Sequence, residues 1–185
     1  MPVVNKEHLP LEAWSNLYVV ASTAAATLVG LLFVVITLAA ERRPHTEARH
    51  IRIYLTPTVI YFASVLLLSG ALTFPSQSRL STTLCCCVLG AAGILYALSL
   101  LWGSRRGVRF RARGDAWTYS LLPAAAFGLL LAGGAAIYAS DAAMGLTLVA
   151  VAMLALLAIA LRNAWSIAVT VTWPHQDDGN EKNSG

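Results

Sequence analysis

The chain has 185 residues, of which 57% are hydrophobic and 12% charged, with a formal net charge of +4. A soluble domain carries about 25% charged residues, so this chain is too poor in charge to cover a water-facing surface. It has eleven Arg and two Lys, and the Arg clusters sit in short loops between long apolar blocks, which argues against a nucleic-acid partner and for lipid as the main solvent.

A membrane-spanning helix needs about 20 mostly apolar residues, and five blocks qualify. The expected class is an all-α integral membrane bundle of five transmembrane helices. Residues 1–13 form an extracytoplasmic segment, 14–173 the transmembrane domain, and 174–185 a disordered cytoplasmic tail. The first block runs from Trp14 to Ala40. The start, MPVVNKEHLPLEAW, has little positive charge and the block is long, so a cleaved signal peptide does not fit. Asn16, Thr23, Gly30 and Thr37 recur every seven residues, with Thr27 joining them. Seven residues is close to two turns, so these five share a face. Small and hydroxyl residues let membrane helices approach closely, and helix packing is the favoured use of this face. The alternative is the lining of an oligomeric channel for an ion or small solute. Ser22, Ala26 and Gly30 form a second small face on the same block.

The second block runs from Ile53 to Phe74 and contains Pro57; the third runs from Leu80 to Trp102 and contains Cys85, Cys86 and Cys87. Three adjacent cysteines point about 100° apart on a helix and cannot converge on one ion, so they are expected as soft, buried side chains. The fourth block, Ala116 to Ser140, contains Pro123 and repeats Ala124, Gly128, Ala132 and Ala136 every four residues. That small-xxx-small pattern predicts close contact within the bundle or between subunits. The prolines lie five to eight residues inside the cytoplasmic starts of their helices and predict a static kink there, with a moving hinge as the alternative. The fifth block starts at Ala142 and reaches Leu161 or beyond. From Ala142 to Trp173 it would be about 48 Å long as one helix, more than a hydrocarbon core of about 30 Å. Arg162 is then expected at the cytoplasmic interface rather than inside the membrane. Trp14, Tyr18, Trp102, Trp117, Tyr138, Trp165 and Trp173 lie near span ends, as interfacial anchors do.

Arg42, Arg43, Arg49 and Arg52 lie between the first two blocks, and Arg105, Arg106, Arg109, Arg111 and Arg113 between the third and fourth. These two loops share one side. The other side holds only Lys6 and Arg79. Nine basic residues against two predict that the Arg loops are cytoplasmic, with the N-terminus outside and the C-terminus inside. The second loop, GSRRGVRFRARGD, is also a candidate contact for anionic lipid head groups, each Arg contributing about 1 kcal/mol. Aligning Arg42–Arg43 with Arg105–Arg106 sets Gly30 against Gly93 and Phe33 against Tyr96 and suggests a duplicated hairpin.

Catalytic chemistry is not visible. HExxH and GxSxG are missing, and no carboxylates are paired within a span. His8, His45, His50 and His175 are scattered outside the spans. The expectation is a non-enzymatic membrane protein without cofactor or metal. It would act through protein or lipid contacts as a homo-oligomer, with a second membrane protein as a further candidate partner. The richness in Arg, Ala, Leu and Gly points to a bacterial source and so to the cytoplasmic (inner) membrane.

The runs ATLVGLLFVVITL (Ala26 to Leu38), ARHIRIYLTPTVIYFASVLLLSGALTFPSQ (Ala48 to Gln77) and LRNAW (Leu161 to Trp165) resemble a family of small bacterial membrane proteins often labelled "modulator of FtsH protease". Matching positions are Gly30, Phe33, Arg49, Pro75, Gln77, Arg162, Asn163 and Trp165. The resemblance implies a binding or regulatory role at the inner membrane and marks Arg162, Asn163 and Trp165 as a motif of unknown role. The chain departs from the pattern at His50 and Ser166, where acidic residues are expected.

Overall fold

Hydrocarbon offers the backbone no hydrogen bonds, so each apolar block closes its own as a helix. A computed structural model describes residues 11–42, 48–75, 77–105 and 113–172. After a short 3-10 turn at Leu11–Trp14 come five helices: α1 (Ser15–Arg42), α2 (Ala48–Thr73), α3 (Arg79–Arg105), α4 (Arg113–Tyr138) and α5 (Ala142–Thr172). Among the described residues the fold is all-helical. Each helix contains a stretch long and apolar enough to cross a membrane. Pro57 and Pro123 sit inside continuous α2 and α4, both buried. Arg162 does not interrupt α5, which runs unbroken for 31 residues.

Two turns at one end of the bundle are closed by side chains. The Gln77 side-chain amide donates to the Ala71 carbonyl at 2.6 Å and caps the end of α2. Ser78 opens α3, accepting the Ser81 N–H on its hydroxyl oxygen at 3.1 Å and the Thr82 N–H on its carbonyl at 3.0 Å. Between α4 and α5, Asp141 N–H donates to the Ala136 carbonyl and Ser140 N–H to that of Ile137. This is a Schellman ending, with Ser140 in the left-handed position at φ 77°. Asp141 then caps α5, its carboxylate accepting the Met144 N–H at 3.0 Å. Arg79 ties the two turns together by donating to the Ser140 hydroxyl at 2.8 Å.

The helices do not pack simply in chain order. α3 packs on α4, α4 on α5, and α1 on α2, while α5 also lies against α2 and, to a lesser extent, α1. The sequential pair α2 and α3 touch little. α5 is therefore the centre and α1 the periphery: 50% of the α5 span is buried, against 17% of the α1 span. Large apolar side chains such as Val20, Leu67, Val88, Leu95 and Leu154 point outward. In water they would form a continuous apolar surface far larger than a monomer tolerates; in lipid they are the solvated surface.

Lipid is as apolar as leucine, so close packing rather than water exclusion holds such helices together. The close approaches fall at glycines. A Cβ on Gly133 would stand 2.9 Å from the Gly145 carbonyl oxygen, and one on Gly145 would stand 2.8 Å from that of Gly133. α4 and α5 thus meet backbone to backbone just below their shared turn. On the other side of α4, Gly93 of α3 lies under the Phe127 ring, and Gly134 lies against Cys86 and Cys87. The Phe127 ring in turn meets Tyr61 of α2, tilted by 59° with centroids 6.1 Å apart.

Candidate functional site

The polar stripe of α1 faces away from the rest of the protein. Among the described residues of α1, Tyr18, Ala21, Ala25 and Leu32 are buried, each 3% exposed or less. At 100° per residue, Asn16, Thr23, Thr27, Gly30 and Thr37 lie on the opposite side, and all five are exposed. Their hydroxyls are satisfied locally. Thr23 donates to the Val19 carbonyl at 2.8 Å, Thr27 to that of Thr23 at 2.8 Å, and Thr37 to that of Val34 at 2.9 Å. A Cβ on Gly30 would meet nothing within 4 Å. The result is a shallow, small-residue face, polar in composition but with its hydroxyls already bonded, on the least buried helix.

The four-residue repeat of α4 does not carry the close approach within the bundle. Ala124, Gly128 and Ala136 are half-buried and Ala132 is exposed, and Gly128 has open space where a Cβ would stand. The contacts run one row over, through Gly133 and Gly134. The repeat at Ala124 is conspicuous in the sequence; the Gly133–Gly134 pair and Gly145 carry the packing. The paired positions of the suggested hairpin repeat differ likewise: Gly30 is open and Gly93 is pressed on Phe127.

The sequence motif at Arg162 is split between two environments. Arg162 and Trp165 are both exposed, Trp165 at 71%. Asn163 turns inward and is 3% exposed, and its side-chain nitrogen has no hydrogen-bond partner among the described residues. Arg162 and Trp165 face the surroundings of the bundle. Trp102 and Tyr138 are similarly exposed, at 74% and 70%. Tyr18 departs from the anchoring expectation. It shares the phase of Ala21 and Ala25 on α1 and is fully buried.

Arg106, Arg109 and Arg111 lie outside the described residues, and Arg105 and Arg113 are described only as the last residue of α3 and the first of α4. The histidines at 8, 45 and 175 also lie outside them, as do the terminal segments 1–10 and 173–185. Cys86 is buried, and Cys85 and Cys87 are half-buried; none forms a disulfide. Among the described residues no three His, Cys, Asp or Glu side chains come together as a metal site.

Buried polar groups are the feature that motif reading passes over. Besides Asn163, the hydroxyls of Tyr18, Tyr61, Ser69, Thr82 and Thr83 are buried without a hydrogen-bond partner among the described residues. The signal on α3 was legible in principle. Thr82, Thr83, Cys86, Gly90, Gly93 and Ala97 follow three- and four-residue spacing, and all six are buried.

These features define a multi-pass helical membrane protein with a small-residue face outside its bundle and uncharged polar groups within it. Comparison with protein-family models, with curated proteins and with solved structures found no match.

Proposed function

We propose that the protein is a non-enzymatic component of the bacterial cytoplasmic membrane that works through contacts, assembling as a homo-oligomer through the outward face of α1. In this reading the N-terminus is outside and the C-terminus inside. The observation that carries it is the placement of Asn16, Thr23, Thr27, Gly30 and Thr37 on the side of α1 opposite its own bundle. Small residues on a lipid-facing helix let a second backbone come close, and association in lipid depends on that closeness. The face is interleaved with Val20, Leu31 and Val34, all exposed. Together with the locally bonded hydroxyls, this favours a packing surface over a water-lined pore. A regulatory contact with another membrane protein, as the resemblance implies, would draw on the same face.

The test is Gly30→Leu. Open space around Gly30 means the larger side chain disturbs nothing within the protomer. The expected result is a lower oligomeric mass in lipid nanodiscs with an unchanged melting temperature. A monomeric wild type, or a variant that keeps the wild-type mass, contradicts the contact reading. Cation or anion conductance of purified proteoliposomes, abolished by Gly30→Leu, would favour the channel instead.

A further inference from the structure

A hydroxyl on a membrane helix ordinarily bonds back to a carbonyl three or four residues earlier, since hydrocarbon gives it no other partner. Thr23, Thr27, Thr37, Ser64, Thr73 and Thr147 all do so. Ser69, Thr82 and Thr83 do not. Each is at least nine-tenths buried, and each hydroxyl has no hydrogen-bond partner among the described residues, not even on its own helix.

The three flank the turn that joins α2 to α3. Ser69 is one turn from the end of α2, and Thr82 and Thr83 are one turn from the start of α3. Tyr18 enters the bundle at the same end, one turn into α1, with its hydroxyl buried and without a hydrogen-bond partner among the described residues. Tyr18 and Cys86 belong to one cluster of buried side chains. Cys86 is fully buried and sits one turn beyond Thr82 and Thr83 on the same side of α3. Groups that gave up water for nothing would be costly here, and buried polar groups in native proteins are satisfied by protein or by ordered water. None of these side chains is charged, so an ion would be buried without a counter-charge, whereas a neutral hydrogen-bonding molecule fits. Arg79, at the rim, directs its guanidinium to Ser140.

We propose that the end of the bundle under the α2–α3 turn holds a hydrated polar site, lined by Tyr18, Ser69, Thr82, Thr83 and Cys86, that admits water and small uncharged hydrogen-bonding molecules and excludes ions. It does not depend on the oligomer.

Alkylation of Cys86 tests it. The full chain carrying Cys85→Ala and Cys87→Ala is held in lipid nanodiscs, where both membrane faces are open and orientation does not enter. The probe is iodoacetamide, small and uncharged. A thiol reacts as the thiolate, which needs water to form. Cys86 is expected to react at least about tenfold faster than a lone cysteine at Leu154→Cys, a lipid-facing position of α5. Iodoacetate, scaled to its rate with the free amino acid, is expected to be at least about tenfold slower than iodoacetamide. Cys86 as inert as the lipid-facing control overturns the site, and equal scaled rates for the two reagents overturn the exclusion of ions. Thr82→Val is the second arm. Removing an orphaned hydroxyl from a dry core raises the melting temperature, whereas removing one wall of a water site lowers it. A lowered melting temperature is expected; a raised one contradicts the proposal.

Discussion

Single glycines in this bundle carry opposite consequences according to what stands beside them. Gly145 and Gly133 each face the other's carbonyl oxygen across the α4–α5 contact. Gly145→Ala forces the two backbones apart, and overpacking of this kind costs about 1–3 kcal/mol. Gly128→Ala meets open space and is expected to stay within about 0.5 kcal/mol of wild type. Thermal unfolding in one detergent compares them: a large drop for Gly145→Ala and little change for Gly128→Ala. Equal melting temperatures would show that the α4–α5 approach is looser than described. Tyr18 makes the same point about environment. It stands near a span end, where tyrosine commonly anchors, yet helical phase sets it with Ala21 and Ala25 and buries it.

At the scale of elements, the spans were legible because lipid demands long apolar blocks and expels charge to their edges. The faces were less so. In water an apolar stripe marks the side of a helix that turns inward; in lipid both sides are apolar and that mark is lost. Small residues are the remaining signal, and they serve contacts within a protomer and between protomers alike. Hence Thr23 and Gly30 pointed to a packing face without saying whose, and the Ala124–Ala136 repeat stood out above Gly133 and Gly145. Asn163 was legible as a candidate for hydrogen bonding between helices; helical phase separates it from Arg162 and Trp165, and that it is the one turned inward follows from the packing of α5 on α4 and α2. The Arg-rich connections between α1 and α2 and between α3 and α4 underlie the proposed orientation. A fluorescent protein fused after Gly185 is expected to fluoresce and alkaline phosphatase fused there to stay inactive. Active phosphatase with a dark fluorescent fusion would reverse the orientation.

For the whole molecule, the order of packing gives each helix a role. α5 is the hub, α3 and α4 form a tight glycine-rich pair, and α1 is the outermost element, held mainly by α2. A protein built to act alone in lipid gains nothing from placing its small and hydroxyl residues on the outermost face of its outermost helix. A second copy is proposed to cover this face. Disulfide cross-linking in native membranes tests it most directly, using single cysteines in a chain whose Cys85, Cys86 and Cys87 are replaced by alanine. Thr23→Cys and Thr27→Cys are expected to give a covalent dimer on mild oxidation, while Leu95→Cys and Leu154→Cys, exposed on α3 and α5, remain monomeric. Monomer at all four positions, or dimer at all four alike, would contradict the account.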